Sequence, residues 1–182
     1  MNETASLLCP AADSSLLRQL EPEDASPLLA LLRSGAAAGL FSGDAEDLTL
    51  SHAQNFILSA LLTAGDDFRA VTDETGAFLG LIGLKDMSPE RAEFCVALLP
   101  EARRRGLGRG AAEQLLQEAF SGDGAPARVF MYTLPDNEAT NAFNLALGFR
   151  RQAPEADAPD GTAAMNWYGV SREKFMAGRS ER

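Results

Sequence analysis

The sequence predicts a mixed α/β domain, a mostly antiparallel twisted sheet flanked by about four helices, and three observations carry that reading. Strand-like runs FRAVT (68–72), GAFLGLIGLKD (76–86) and RAEFCVALL (91–99) are joined by DETG and MSPE, both turn-forming, which makes an antiparallel meander. Apolar residues spaced i, i+3, i+4, i+7 mark two helices. Ala53, Phe56, Ile57, Ala60, Leu61 and Ala64 share one face of the first, and Ala139, Ala142, Phe143, Ala146 and Leu147 one face of the second. A chain of 182 residues, 46% apolar and 23% charged, is long enough for one domain that buries roughly 70% of its unfolded surface.

The elements follow in order. Residues 1–14 are expected to form a flexible N-terminal arm ahead of a single domain over 15–178. LLRQL (16–20) reads as a short strand, and EPED (21–24) places Pro22 and three acids where a helix N-terminus favours them. Pro27 would remove a hydrogen bond from that helix, so Ser26 is expected to cap a restart with Pro27 at its first position, and Gly35 to end it. A Gly-rich loop lies between Gly39 and Asp44. RVFMYTL (128–134) and AAMNWYGV (163–170) add strands before and after the 139–147 helix, which Gly148 closes in the left-handed conformation. The Pro- and Asp-rich APEADAPDG (153–161) is an exposed loop between the last strands.

Sixteen basic against twenty-six acidic residues give a formal charge of -10, which argues against nucleic acid or an anionic membrane surface as a partner and suits a cationic one. MNETASLLCPAADSS has no basic residue, its Leu7-Leu8-Cys9 is too short for a signal-peptide apolar region, and the longest apolar run, AFLGLIGL (77–84), is too short to span a bilayer. A cytoplasmic protein is expected. The Cys/His spacing of a zinc site is absent, so no metal is expected. Cys95, in an apolar strand, reads as a small buried hydrophobe, and the single His52 as solvated helix surface.

One stretch does not fit an ordinary amphipathic helix. EARRRGLGRGAAE (101–113) puts three consecutive arginines and three glycines at a helix start. Each glycine weakens a helix interior by about 1 kcal/mol relative to alanine, and cations crowd the wrong end of the helix dipole. A solvated basic run is the competing reading; an anion bound at the exposed N–H groups would reverse the sign of the arginine cost. A P-loop is absent. Gly106, Gly108 and Ala111 match the letters of a dinucleotide fingerprint, but an antiparallel meander precedes them rather than a βαβ unit.

The segment Arg103-Arg104-Arg105-Gly106-Leu107-Gly108 fits the pattern Arg or Gln, two residues, Gly, one residue, Gly or Ala. With the strand order, the helix that follows and PDNEATNAFNLALGF (135–149), residues 16–175 resemble the GNAT superfamily of acetyl-CoA-dependent N-acetyltransferases. EPEDA, SPERAEF and NEAT before a helix ending in LGF look most like the ribosomal-protein alanine acetyltransferase type. Those relatives commonly carry Glu, an apolar residue and Gly-Tyr-Trp where this chain has Glu93-Phe94-Cys95-Val96-Ala97.

The resemblance implies acetyl-CoA as co-substrate, with its pyrophosphate on the turn formed by Arg103, Arg104, Arg105, Gly106, Leu107, Gly108 and Arg109. It implies that Leu98 pairs its backbone with pantetheine between splayed strands, and that Asn137 bonds the pantetheine arm or phosphate besides capping a helix. Many members use a tyrosine to protonate the departing thiolate, four residues before the Gly of the terminal Gly-Phe pair. That residue is Asn144 here, which cannot act as an acid.

Glu93 is the candidate general base. Period-2 alternation places it on one face with Cys95, Ala97 and Leu99, where apolar neighbours raise a carboxylate's pKa, and the competing reading is a structural ion pair. A base is less necessary for an α-amine, about 14% neutral at pH 7, than for lysine at about 0.04%. The expected activity is transfer of acetyl to a primary amine, a protein N-terminus or a small amine, by direct attack. The alternative is a non-catalytic acetyl-CoA sensor or interaction module. Oligomeric state is open, a homodimer included.

Overall fold

The computed structural model describes residues 16–35 and 44–180. The expected 1–14 arm and most of the 39–44 loop lie outside them. In chain order the elements are β1 (Leu17–Gln19), α1 (Ala25–Arg33), α2 (Leu50–Leu62), β2 (Asp67–Thr72), β3 (Phe78–Lys85), β4 (Ala92–Leu98), α3 (Leu107–Ser121), β5 (Arg128–Thr133), α4 (Glu138–Ala146), β6 (Arg150–Gln152), β7 (Asn166–Ser171) and α5 (Arg172–Ser180). The seven strands form one sheet in the order β1-β2-β3-β4-β5-β7-β6. Every ladder is antiparallel except β4–β5. This is the mixed, mostly antiparallel architecture expected, with five α-helices among the described residues rather than about four.

Two apolar cores fill the faces of the sheet. Leu28 and Leu31 of α1 and Ile57 of α2 pack with Leu81 and Ala97 on one face, while Leu115, Leu116 and Phe120 of α3 pack with Phe94, Val129, Phe149 and Tyr168 on the other. Fully burying each such leucine or phenylalanine stabilises the fold by about 1.5–3 kcal/mol. β4 contributes to both cores, because Phe94, Val96 and Leu98 alternate with Cys95 and Ala97 across the sheet.

Local chemistry sets the helix starts. α1 runs unbroken from Ala25, with Pro27 in its first turn, where the missing N–H would have had no intrahelical acceptor; the expected restart at Ser26 does not occur. Asp24, buried before α1, accepts from the Glu21 N–H at 2.9 Å and takes both arms of Arg18 at 2.7 Å. At α2, the Thr49 hydroxyl accepts from the His52 N–H while His52 Nδ1 accepts from the Thr49 N–H. His52 is thus an exposed capping residue.

Two predicted faces are corrected. α2 buries Ala53, Ile57 and Ala60, but Leu61 is exposed, and so is Ala64, which lies beyond the end of α2 at Leu62. α4 exposes Ala139, Ala142 and Ala146 and turns Thr140, Asn141, Phe143, Asn144 and Leu147 inward. Its orientation follows its polar residues: Asn141 Oδ1 accepts from Tyr168 Oη at 2.7 Å and from Asn166 Nδ2 at 2.9 Å, both on β7. Gly35 (φ +71°) and Gly148 (φ +94°) end α1 and α4 as expected.

Candidate active site

β4 and β5 make the site by parting. Their parallel ladder holds only Ala92 opposite Val129 and Glu93 opposite Phe130, whereas β4 pairs with β3 from Glu93 through Leu98. The Leu99 N–H donates to Leu79 of β3 at 2.9 Å, so by alternation the peptide groups of Val96 and Leu98 point away from β3 into the gap. A groove of about 660 Å³ occupies that gap, with Val96 to Leu98 on one wall, Asn137, Thr140 and Phe143 of α4 on the other, and Arg103, Arg104 and Gly108 at its mouth.

The mouth is the α3 N-terminus. Gly106 is its N-cap at φ +80° and Arg104 sits at φ +58°, two left-handed residues that turn the chain sharply into the helix. The N–H groups of Arg109 and Gly110 both donate to the Gly106 carbonyl at 3.1 Å, while those of Leu107 and Gly108 have no intrahelical acceptor. Together with the helix dipole they make a place chemically suited to an anion. Gly108 is closely packed: a Cβ there would lie 3.1 Å from Leu98 Cδ1, which would have to shift slightly, and 3.7 Å from Phe143 Cε2.

The sequence-predicted residues divide. Leu98, Arg103, Arg104, Gly108 and Asn137 line the groove; Arg105, Gly106, Leu107 and Arg109 build the turn and first helical turn without lining it. Arg109 pairs with Glu113 at 3.0 Å, and Arg105 is exposed, with its charge near Asp73. Arg103 Nε donates to the Leu98 carbonyl at 3.0 Å, so one of the peptide groups facing the gap is already engaged. Asn137 caps α4, accepting from the Thr140 N–H at 3.1 Å.

Glu93 stands at the inner end, where the strands join. Its carboxylate meets Lys85 Nζ of β3 at 3.1 Å, so the ion pair weighed from the sequence exists at this position. Burial pushes the Glu93 pKa up against the pull of Lys85. Cys95, on the same face, donates to the Gly83 carbonyl at 3.6 Å, and burial pushes its thiol up to about 12. At neutral pH it is no nucleophile.

Sequence reasoning missed the aromatic wall beside Glu93. Trp167 of β7 stacks on Phe130 at 5.8 Å and lies 4.7 Å from Tyr132, both on β5. The Trp167 indole N–H donates to the Thr162 carbonyl at 2.9 Å. The loop of residues 153–162 is pinned beside it: Glu155 pairs with Arg91 and Arg128 and accepts from Gln152, and Asp157 pairs with Arg91. The signal was the alternation Phe130, Tyr132 in RVFMYT, read only as a strand.

Residues 15–150 match the acetyltransferase (GNAT) domain family. The chain belongs to that family. It is an acyltransferase, and GNAT acetyltransferases use acetyl-CoA as co-substrate. An uncharacterized N-acetyltransferase of Bacillus subtilis, YoaA, is 25% identical over 145 residues, 77% of this chain and 81% of the relative. The GNAT fold is shared with spermidine N-acetyltransferase of Vibrio cholerae, solved with CoA and spermine, at TM-score 0.72 and 16% identity, over 88% of this chain and 96% of that one. A probable acetyltransferase superposes at TM-score 0.67 and 19% identity, over 87% and 93%. No helix among the described residues of this GNAT protein is long and apolar enough to cross a membrane.

Proposed function

We propose that the protein moves an acetyl group from acetyl-CoA to a primary amine by direct attack, in the groove between β4 and β5. The observation that carries this reading is continuity: an anion site at the α3 N-terminus opens onto the free edge of β4, which leads to a half-buried carboxylate, Glu93.

The groove fits the cofactor chemically. Arg103, Arg104 and the first-turn amides of α3 suit phosphates, and the peptide groups of Val96 together with the Leu98 N–H, all turned away from β3, suit an arm built on amides, the Leu98 carbonyl being held by Arg103. From Leu98 to Glu93 the strand spans about 16 Å at ~3.3 Å per residue, the reach of an extended arm. Gly106 and Leu107 shape the turn, Asn137 faces the arm from the start of α4, and Arg105 and Arg109 add positive charge near the mouth.

Bound acetyl-CoA supplies an acyl group on a thioester, whose carbon–sulfur bond breaks as the carbon–nitrogen bond forms. Glu93 accepts the proton that the attacking amine loses. Its raised pKa makes it a better base than an exposed carboxylate, and Lys85 keeps it oriented. The neutral Cys95 thiol supports direct attack over acetyl transfer through the enzyme.

The acceptor is a small amine or a protein N-terminus. The spermidine acetyltransferase, named for a polyamine, supports the first, as does the formal charge of -10; the sequence resemblance to ribosomal-protein alanine acetyltransferases supports the second. Steady-state kinetics with acetyl-CoA and either class test the mechanism: intersecting double-reciprocal lines are expected, and parallel lines with acetyl trapped on Cys95 contradict it.

A further inference from the structure

Leu98, the last residue of β4, is wedged between two glycines. Gly80 of β3 stands opposite it in the ladder, and Gly108 of α3 stands against its Cδ1. A Cβ on Gly80 would lie 2.4 Å from the Ala97 carbonyl oxygen, 2.6 Å from Leu98 Cδ2 and 3.0 Å from Leu98 Cα. Two of those three atoms are backbone, so a change of rotamer does not relieve the contact. The strand itself would have to give by about 1 Å to restore ordinary van der Waals distances.

The ladders decide which way it would give. Gly80 pairs with Val71 of β2 as well as with Leu98, so β3 is held along both edges. β4 at Leu98 is held along the β3 edge, while its ladder with β5 ends at Glu93. A side chain at position 80 therefore drives Ala97 and Leu98 into the groove that they line. Glu93, opposite Lys85, lies at the far end of the same β3–β4 ladder.

We propose that Gly80 is a positioning residue for acetyl-CoA: its bare backbone lets β4 lie close against β3 and so keeps the Val96–Leu98 edge far enough from α4 to admit the pantetheine arm. The assignment rests on the acetyl-CoA reading above. Gly80 acts through Leu98, whose carbonyl is held by Arg103 and whose side chain reaches Gly108, so that β3, β4 and the α3 N-terminus meet at one residue. β3 carries a second crowded glycine that serves as the contrast. A Cβ on Gly83 would lie 2.4 Å from Phe68 Cδ1 and 3.0 Å from the Asp67 carbonyl oxygen, both on β2, the side away from the groove.

The test is calorimetric titration of the full chain with acetyl-CoA and with the phosphoadenosine diphosphate portion of CoA, which lacks the arm, alongside melting temperatures. Gly80→Ala is expected to weaken acetyl-CoA binding about ten-fold or more and binding of the armless nucleotide less than about three-fold. Gly83→Ala is expected to lower the melting temperature while keeping acetyl-CoA affinity within about two-fold of wild type. Leu98→Ala removes the Cδ2 contact, so on that background Gly80→Ala should cost a smaller factor, about three-fold; this pair carries the test if the single variant does not fold. A folded Gly80→Ala that keeps its parent's acetyl-CoA affinity on either background would overturn the assignment. So would equal losses for the two ligands, or a loss as large in Gly83→Ala. A wild-type protein that binds neither ligand would overturn the acetyl-CoA reading itself.

Discussion

Arg103 Nε donates to the carbonyl oxygen of Leu98 at 3.0 Å, tying the mouth of the groove to the last residue of β4. The contact holds a cation close to both the α3 N-terminus and the edge of β4. Arg103→Ala is expected to raise the acetyl-CoA dissociation constant about three- to ten-fold and to weaken its salt dependence. Arg105→Ala, whose side chain does not line the groove, should stay within about two-fold; calorimetric titration at two salt concentrations separates them.

Gly108 packs where a larger side chain would crowd its neighbours. Gly108→Val would push against Leu98 Cδ1 and Phe143, the two walls of the groove, and is expected to weaken acetyl-CoA binding about ten-fold or more. The melting temperature measured alongside should fall far less than in a variant of the buried core, since Leu98 and Phe143 are only partly buried. Unchanged affinity would remove Gly108 from the site.

Glu93, as the proposed base, is expected to give the reaction an acid limb. Burial holds its pKa above the ordinary carboxylate value despite Lys85, so the ionised base appears only as pH rises through that raised value. Glu93→Gln is expected to lower kcat about ten- to hundred-fold, to leave the KM for acetyl-CoA nearly unchanged and to abolish that limb. The linkage sign is the same: Glu93's contribution to stability is present below its unfolded pKa and lost as pH rises through the folded one.

Glu155 works in the opposite direction. The hydrogen bonds from Arg128, against the opposing effect of burial, hold its pKa below the ordinary value, so its stabilisation is present above the unfolded pKa and lost as pH falls through the folded one. Wild type should melt at a higher temperature than Glu155→Gln at pH 7, and the gap should close as pH falls through the carboxylate range. A gap that persists in acid would show that the latch on residues 153–162 is not ionic.

The elements that the sequence disclosed were those whose signal is local. Alternation in 91–99 gave both faces of β4, and the Arg103–Gly108 spacing gave the turn before α3, because a tight turn and a pleated strand each constrain neighbours in sequence. α4 was misread because its alanines looked like a buried face, while its orientation is set at long range by Asn141 meeting Tyr168 and Asn166. α5 went unseen: REKFMAGRS offers Phe175 to the core and little else. The aromatic wall likewise needs β5 and β7 side by side, a pairing that no spacing announces.

The central claim is acetyl transfer to an amine in the β4–β5 groove. Release of CoA thiol by the purified chain, with acetyl-CoA and a panel of polyamines, free-N-terminus peptides and lysine peptides, tests it most directly once hydrolysis is subtracted. Sustained multiple-turnover release with polyamines or free N-termini, and weak release with lysine peptides, is the predicted result. Saturable acetyl-CoA binding with no release for any amine would contradict it and favour a cofactor-sensing role.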